Sequence, residues 1–165
     1  MMPNAGKDLR FLCDEMLRGL GRWLRAAGYD TIIAEGGLPD RALARRCAKE
    51  GRILLTKDRQ LANIAKATAS VLLVPGDGID AAAQALRATL GIDWQYAPFT
   101  RCLVDNQPLA AAPAEAAALV PEQSRAAGGP LRQCRECGRP YWSGGHVRRM
   151  QQRLVFWQED VTPPS

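Results

Sequence analysis

The chain has 165 residues, 47% of them hydrophobic, which is enough to bury a core and excludes wholesale disorder. Lys and Arg outnumber Asp and Glu by 22 to 17, a modest basic excess compatible with a polyanionic partner without demanding one. No apolar run approaches the roughly 18 residues needed to span a bilayer, and MMPNAGKDLR lacks the apolar stretch of a secretory signal, so the expected compartment is the cytoplasm, with no membrane partner.

From Leu9 to about Leu90, short apolar runs alternate with helical periodicity. Leu9 to Cys13 reads as a buried strand that ends at Asp14-Glu15. Met16, Leu17, Leu20, Trp23, Leu24 and Ala27 then recur at helical spacing, and Gly28 supplies a stop. Thr31 to Ala34 is a second strand, followed by an alanine- and arginine-rich helix from Pro39 to Glu50, closed by Gly51. Ile53 to Leu55 is a third strand and Asp58 to Ala67 a helix. Val71 to Val74 is a fourth strand, and Ile79 to Leu90 a helix closed by Gly91. Strands alternating with helices predict a parallel α/β sheet covered on both faces. Beyond Gly91 the pattern changes. Trp94 to Arg101 is aromatic and reads as extended, and Ala110 to Gly129 is alanine-rich, a short helix or a loop. Two cysteines, a Tyr-Trp pair, glycines and the only histidine follow.

In parallel sheets, functional groups gather beyond the carboxyl ends of the strands. Asp14 follows the first strand, Asp58 the third, and Asp40 opens the helix after the second. Carboxylates brought together from different loops suit Mg²⁺ or Mn²⁺, hard ions that activate water at a phosphodiester. Each residue also has a plainer role: Asp40 and Asp58 suit helix starts. Asp14 is harder to dismiss, because a carboxylate ending an apolar strand needs a partner or a function. Glu15 reads as exposed. Arg18, Arg22 and Arg25, at i, i+4 and i+7, form a basic stripe opposite the apolar face of their helix, suited to steadying phosphates. A solvated helix face explains the same pattern without a ligand.

Five cysteines are an odd number, and without an export signal a disulfide framework is disfavoured. Cys13 and Cys47 read as small core residues. Cys134-Arg135-Glu136-Cys137-Gly138 is a zinc-ribbon half, but the earlier half reads Cys102-Leu103-Val104-Asp105, with Asp105 where a fourth thiolate belongs. Three arrangements stay open: Asp105 ligates Zn²⁺ through oxygen, His146 supplies the fourth ligand, or the metal has been lost and packing holds the module. Tyr141, Trp142, His146, Arg148 and Arg149 mix aromatic and basic groups, as surfaces for single-stranded nucleic acid do. A small ribbon core accounts equally for the two aromatics.

The order Phe11-Leu12-Cys13-Asp14-Glu15-Met16-Leu17, Gly19-Leu20-Gly21-Arg22-Trp23-Leu24-Arg25 and Gly28-Tyr29-Asp30-Thr31 resembles the Mut-seven C-terminal RNase domain. The likeness continues through Leu54-Leu55-Thr56-Lys57-Asp58, Phe99-Thr100-Arg101-Cys102, Cys134-x-x-Cys137-Gly138 and Tyr141-Trp142-x-Gly144-x-His146. It implies a PIN-like nuclease domain, over 9–92, with a zinc-ribbon-like module, over 93–157; the remaining 158–165 read as a flexible tail. It also implies metal-dependent cleavage of RNA, single-stranded or structured, with Asp14, Asp40 and Asp58 as the acidic set, and structural zinc at a ribbon with Cys102, Cys134 and Cys137, where Asp105 departs from the pattern's second cysteine. Arg18, Arg22, Arg25, Arg148 and Arg149 are the expected substrate contacts, and a homodimer is an open option. His146 belongs to the family pattern, so its presence does not mark a compensation for the missing cysteine. Two rival readings are a non-catalytic RNA-binding or adaptor module built around the ribbon, and a receiver-type phosphotransfer domain. The ribbon and the arginine stripe have no place in the latter.

Overall fold

In the computed structural model, which describes residues 8–126 and 128–159, strand β1 covers Phe11–Cys13 and all three residues are buried. It is flanked by β2 (Thr31–Ile33) and β3 (Ile53–Thr56), and β4 (Val71–Leu73) lies outside β3, giving a parallel sheet of order β2-β1-β3-β4. Phe11 lies opposite both Thr31 and Ile53, so the carboxyl ends of β1, β2 and β3 finish side by side. A strand covered on both faces is apolar at successive positions rather than at alternate ones. Phe11, Cys13 and Leu55 pack with Leu20 and Leu24 of α1 (Arg18–Ala26) and Leu86 of α4 (Ile79–Leu90). Leu12 and Leu54 face the other way, against Leu43 and Cys47 of α2 (Asp40–Glu50) and Leu61 of α3 (Arg59–Ala65). Cys13 and Cys47 are fully buried, as core residues.

The helix ends follow their capping chemistry. Gly51 and Gly91 adopt the left-handed conformation just after α2 and α4. Gly28 does more than stop α1: its φ is +101°, and a Cβ there would meet the Ala97 carbonyl oxygen at 2.5 Å. Glycine is needed because the segment after α4 crosses directly over this turn. The helix expected to begin at Met16 starts with a single tight turn, Glu15–Leu17, before α1. Met16 is not on the buried face but 70% exposed.

The second half departs further from expectation. Trp94 to Arg101 is a series of turns, not an extended segment. Strands β5 (Ala110–Ala111), β6 (Arg132–Gln133) and β7 (Pro140–Tyr141) form a small antiparallel sheet. A 3₁₀ stretch over Ala114–Leu119 and the short α5 (Glu122–Ala126) fill the alanine-rich region. Residues Gly145–Glu159 form α6, a helix the sequence reading did not foresee. It returns to the parallel sheet's helical layer: Trp157 is buried, with its ring 4.8 Å from Trp23 and 5.0 Å from Trp94. The Trp157 indole N–H donates to Asp80 at 2.8 Å, and Gln158 accepts the Trp94 amide at 2.8 Å. Residues 158 and 159 thus belong to α6; the rest of the expected tail, 160–165, lies outside the described residues. Among the described residues, no helix is long and apolar enough to cross a membrane.

Candidate active site and metal centre

Strand order places β2 on one side of β1 and β3 on the other, so the chain changes direction across the sheet between β1 and β3. A crevice opens beyond the carboxyl ends of strands at such a point. Asp14, Asp40 and Asp58 all line one cavity there, of about 170 Å³. Glu15 and Glu35 line it too. Glu35 went unremarked in the sequence, although it stands two residues past β2, the same kind of position as Asp14 and Asp58. Glu15 is exposed as expected, but its carboxylate leans over the loop: a Cβ on Gly36 would lie 2.5 Å from Glu15 Oε2.

The three aspartates are held differently. Asp14 is only 8% exposed. Its Oδ1 accepts the Met16 amide at 2.7 Å, and its Oδ2 accepts the Thr56 hydroxyl. Thr56 Oγ1 in turn accepts the Asp58 amide at 3.0 Å, so one hydroxyl ties together the two loops that carry Asp14 and Asp58. Asp58 caps α3, accepting the amides of Gln60 at 2.8 Å and Leu61 at 3.2 Å through Oδ1. The capping role and the pocket position coexist, because capping occupies one oxygen and leaves the other. Asp40 is the first residue of α2, with Pro39 in the capping position, and it makes no side-chain cap.

The arginine stripe is split. Arg18 and Arg22 are exposed on α1, but Arg25 is 7% exposed and turned inward. Its guanidinium donates to the carbonyls of Thr31 at 2.9 Å, and of Leu103 and Val104, each at 3.0 Å. Burial holds its pKa below the ordinary arginine value. Arg25 is therefore a strut between β2 and the ribbon rather than a surface contact for RNA. Arg148 and Arg149 are exposed near the start of α6.

The second centre lies in the ribbon. Donor atoms of Cys102, Asp105, Cys134 and Cys137 all fall within 4.8 Å of one another. Two tight turns create this. The amide of Asn106, at φ +70°, bonds the Cys102 carbonyl, and that of Gly138, at φ +76°, bonds the Cys134 carbonyl. Cys102 and Cys137 Sγ are 3.7 Å apart, close to the roughly 3.8 Å edge of a tetrahedron with Zn–S bonds near 2.3 Å. Asp105 lies 3.2 and 3.3 Å from Cys134 Sγ through its two carboxylate oxygens, so it occupies the fourth corner. Three soft thiolates and one carboxylate could hold a metal such as zinc. Burial pushes the Cys134 thiol up to about 12, a cost that a bound cation removes by favouring the thiolate. His146 is not part of this cluster; it lines a separate cavity against α1. Of the three arrangements open from sequence, the one with Asp105 has the geometry. Among the described residues this is the one such group that converges so closely, and the pocket carboxylates share walls without closing to that span.

A parallel α/β sheet with acidic side chains at its crossover point, joined to a cysteine-rich ribbon, is the class of protein defined by this fold and these sites. The family model of the Mut7-C RNAse domain matches residues 9–154, and the chain belongs to that family. No curated protein and no solved structure is found to match it.

Proposed function

We propose that the chain is a PIN-like, metal-dependent ribonuclease in which Asp14, Asp40 and Asp58 hold Mg²⁺ or Mn²⁺ and RNA phosphodiesters are hydrolysed. The observation that carries this reading is that Asp14 and Asp58, just past β1 and β3, and Asp40, which opens the helix after β2, line one cavity. A divalent ion held by Asp14, Asp40 and Asp58 would supply water activation and charge neutralisation at a phosphodiester. The protein's part is positional. Thr56 and the Met16 amide fix the Asp14 carboxylate, and the α3 cap fixes Asp58, so neither must be ordered when the ion arrives. Arg18 and Arg22 present guanidinium forks on α1, and Arg148 and Arg149 do so at α6, to steady the RNA backbone. Residues 9–92 cut, residues 93–157 help hold the strand, and zinc at the ribbon is structural.

Labelled single-stranded RNA should be cleaved in Mg²⁺ or Mn²⁺ and spared in chelator. Asp14→Asn should slow cleavage by about 100-fold or more while the protein stays folded. RNA affinity that survives Asp14→Asn and Asp58→Asn, with no metal-dependent turnover in the wild type, would instead make the chain a binding module.

A further inference from the structure

The cavity that His146 lines is larger than the acidic pocket, about 400 Å³ against about 170 Å³, and it lies between α1 and the ribbon. Its volume falls within the roughly 300–1,000 Å³ common for small-ligand sites. Its walls are apolar or aromatic, including Val104, Phe99 and Trp142, and the basic groups reaching it are Arg22, Arg139 and His146. None of the residues lining it is acidic. The start of α6 also opens onto it through Gly144, Gly145 and His146, so the positive end of a 15-residue helix adds to the same field. Gly144 allows the Trp142 indole to approach this turn closely: a Cβ there would fall 2.5 Å from Trp142 Nε1. An apolar slot edged by guanidinium groups matches two halves of one ligand, a flat base and a phosphate.

We propose that this cavity receives one nucleotide of a single-stranded RNA, with its base against Trp142 and Val104 and its phosphate on Arg22 and Arg139. The inference rests on the nuclease reading, because the strand held here is the one delivered to Asp14. Helix α1 links the two places. Arg18 and Arg22 are exposed and four residues apart, so they share one face. Arg22 follows Asp14 by eight residues, across the tight turn Glu15–Leu17 and the first turn of α1. A strand anchored at the ribbon therefore runs along that face, phosphates on the two arginines, to the carboxylates. The ribbon sets where the RNA enters, and α1 sets how far from that anchor it is cut.

The test uses the full chain carrying Asp14→Asn, so that bound RNA is not consumed, and a short fluorescent single-stranded oligoribonucleotide, with affinity read by anisotropy across a salt series. Arg139→Glu should weaken binding about tenfold and make the plot of log affinity against log salt shallower by about 0.7 for a lost phosphate contact. Val104→Trp, which fills the slot from an exposed position, should weaken binding by a similar factor and leave the slope unchanged. An abasic oligomer of equal length should bind the Asp14→Asn parent about tenfold less tightly than the base-bearing one. Unchanged affinity in both variants, or equal binding of the abasic strand, overturns the proposal. Cleavage by the chain with Asp14 intact is scored separately, so a failure of the nuclease reading is not mistaken for a failure of the cavity.

Discussion

Thr56 ends β3 with a hydroxyl that donates to Asp14 and accepts from the Asp58 backbone, so a single uncharged side chain couples two acidic loops. Thr56→Val keeps the shape and removes the coupling. The expected outcome is that the metal concentration giving half-maximal cleavage rises about tenfold or more, while the rate at saturating metal falls less. A titration of cleavage rate against Mn²⁺ checks this, and an unshifted midpoint would show that Thr56 only packs. Arg25 and Arg22 form an instructive pair. Arg25→Met leaves the carbonyls of Thr31, Leu103 and Val104 without their donor and should cost roughly 3 kcal/mol of stability in a urea melt. Arg22→Ala, on the exposed face, should leave the melt within about 0.5 kcal/mol of wild type and weaken RNA binding instead. The sequence spacing of the three arginines was legible, but which of them turns inward was not. A helix covered on two sides buries more than its apolar stripe, and carbonyl acceptors arriving from residues 103 and 104 leave no mark near position 25.

At the level of elements, the four parallel strands and their helices could be read from the chain, because apolar runs and helical periodicity are local signals. Carboxyl-end placement then singled out Asp14 and Asp58, and the start of the helix after β2 singled out Asp40; all three line one cavity. Glu35 satisfies the same rule, two residues past β2, and was overlooked even so. The turns of the ribbon were likewise legible as Cys-x-x-Cys and its degenerate partner, whereas α6 was not. Its opening Gly144-Gly145 and its arginines resemble a loop, and the burial of Trp157 depends on Trp23 and Trp94, far away in sequence. The fourth corner of the cysteine cluster offers a test at this scale. Asp105→Cys, which restores a soft ligand, should tighten zinc retention by about tenfold or more in competition with a chelator. Zinc content measured by elemental analysis after dialysis against that chelator reads it. Retention no better than wild type would mean that Asp105 is not at a metal corner.

Across the whole molecule, one hydrophobic cluster runs from Phe11 and Leu24 through Trp94 and Trp157 to Cys102, Cys134 and Tyr141, so sheet and ribbon share packing. Polar bonds cross the same boundary. Asp30, just before β2, accepts from Arg52 at 2.9 Å and from Asn106 of the ribbon at 2.7 Å. Burial alone would raise the Asp30 carboxyl, but these bonds outweigh it and hold the pKa below its ordinary value of 3.8. A depressed folded-state pKa stabilises the fold above the unfolded value, and that contribution is lost as pH falls through the folded one. Thermal unfolding should therefore lose stability below about pH 4, and Asp30→Asn should flatten that part of the profile. An unaltered acid limb would show that Asp30 is not a clasp. The individual strands and helices, the acidic positions and the cysteine spacing are written in short stretches of the chain, since each depends on neighbours within a turn or two. The inward arginine, the returning helix, the fourth ligand position and the cavity at α1 are not, because each arises where separate segments meet, 29 residues apart at the fourth ligand position and some 70 or more at the others. Packing between such distant segments is a property of the assembled core, and no local pattern encodes it.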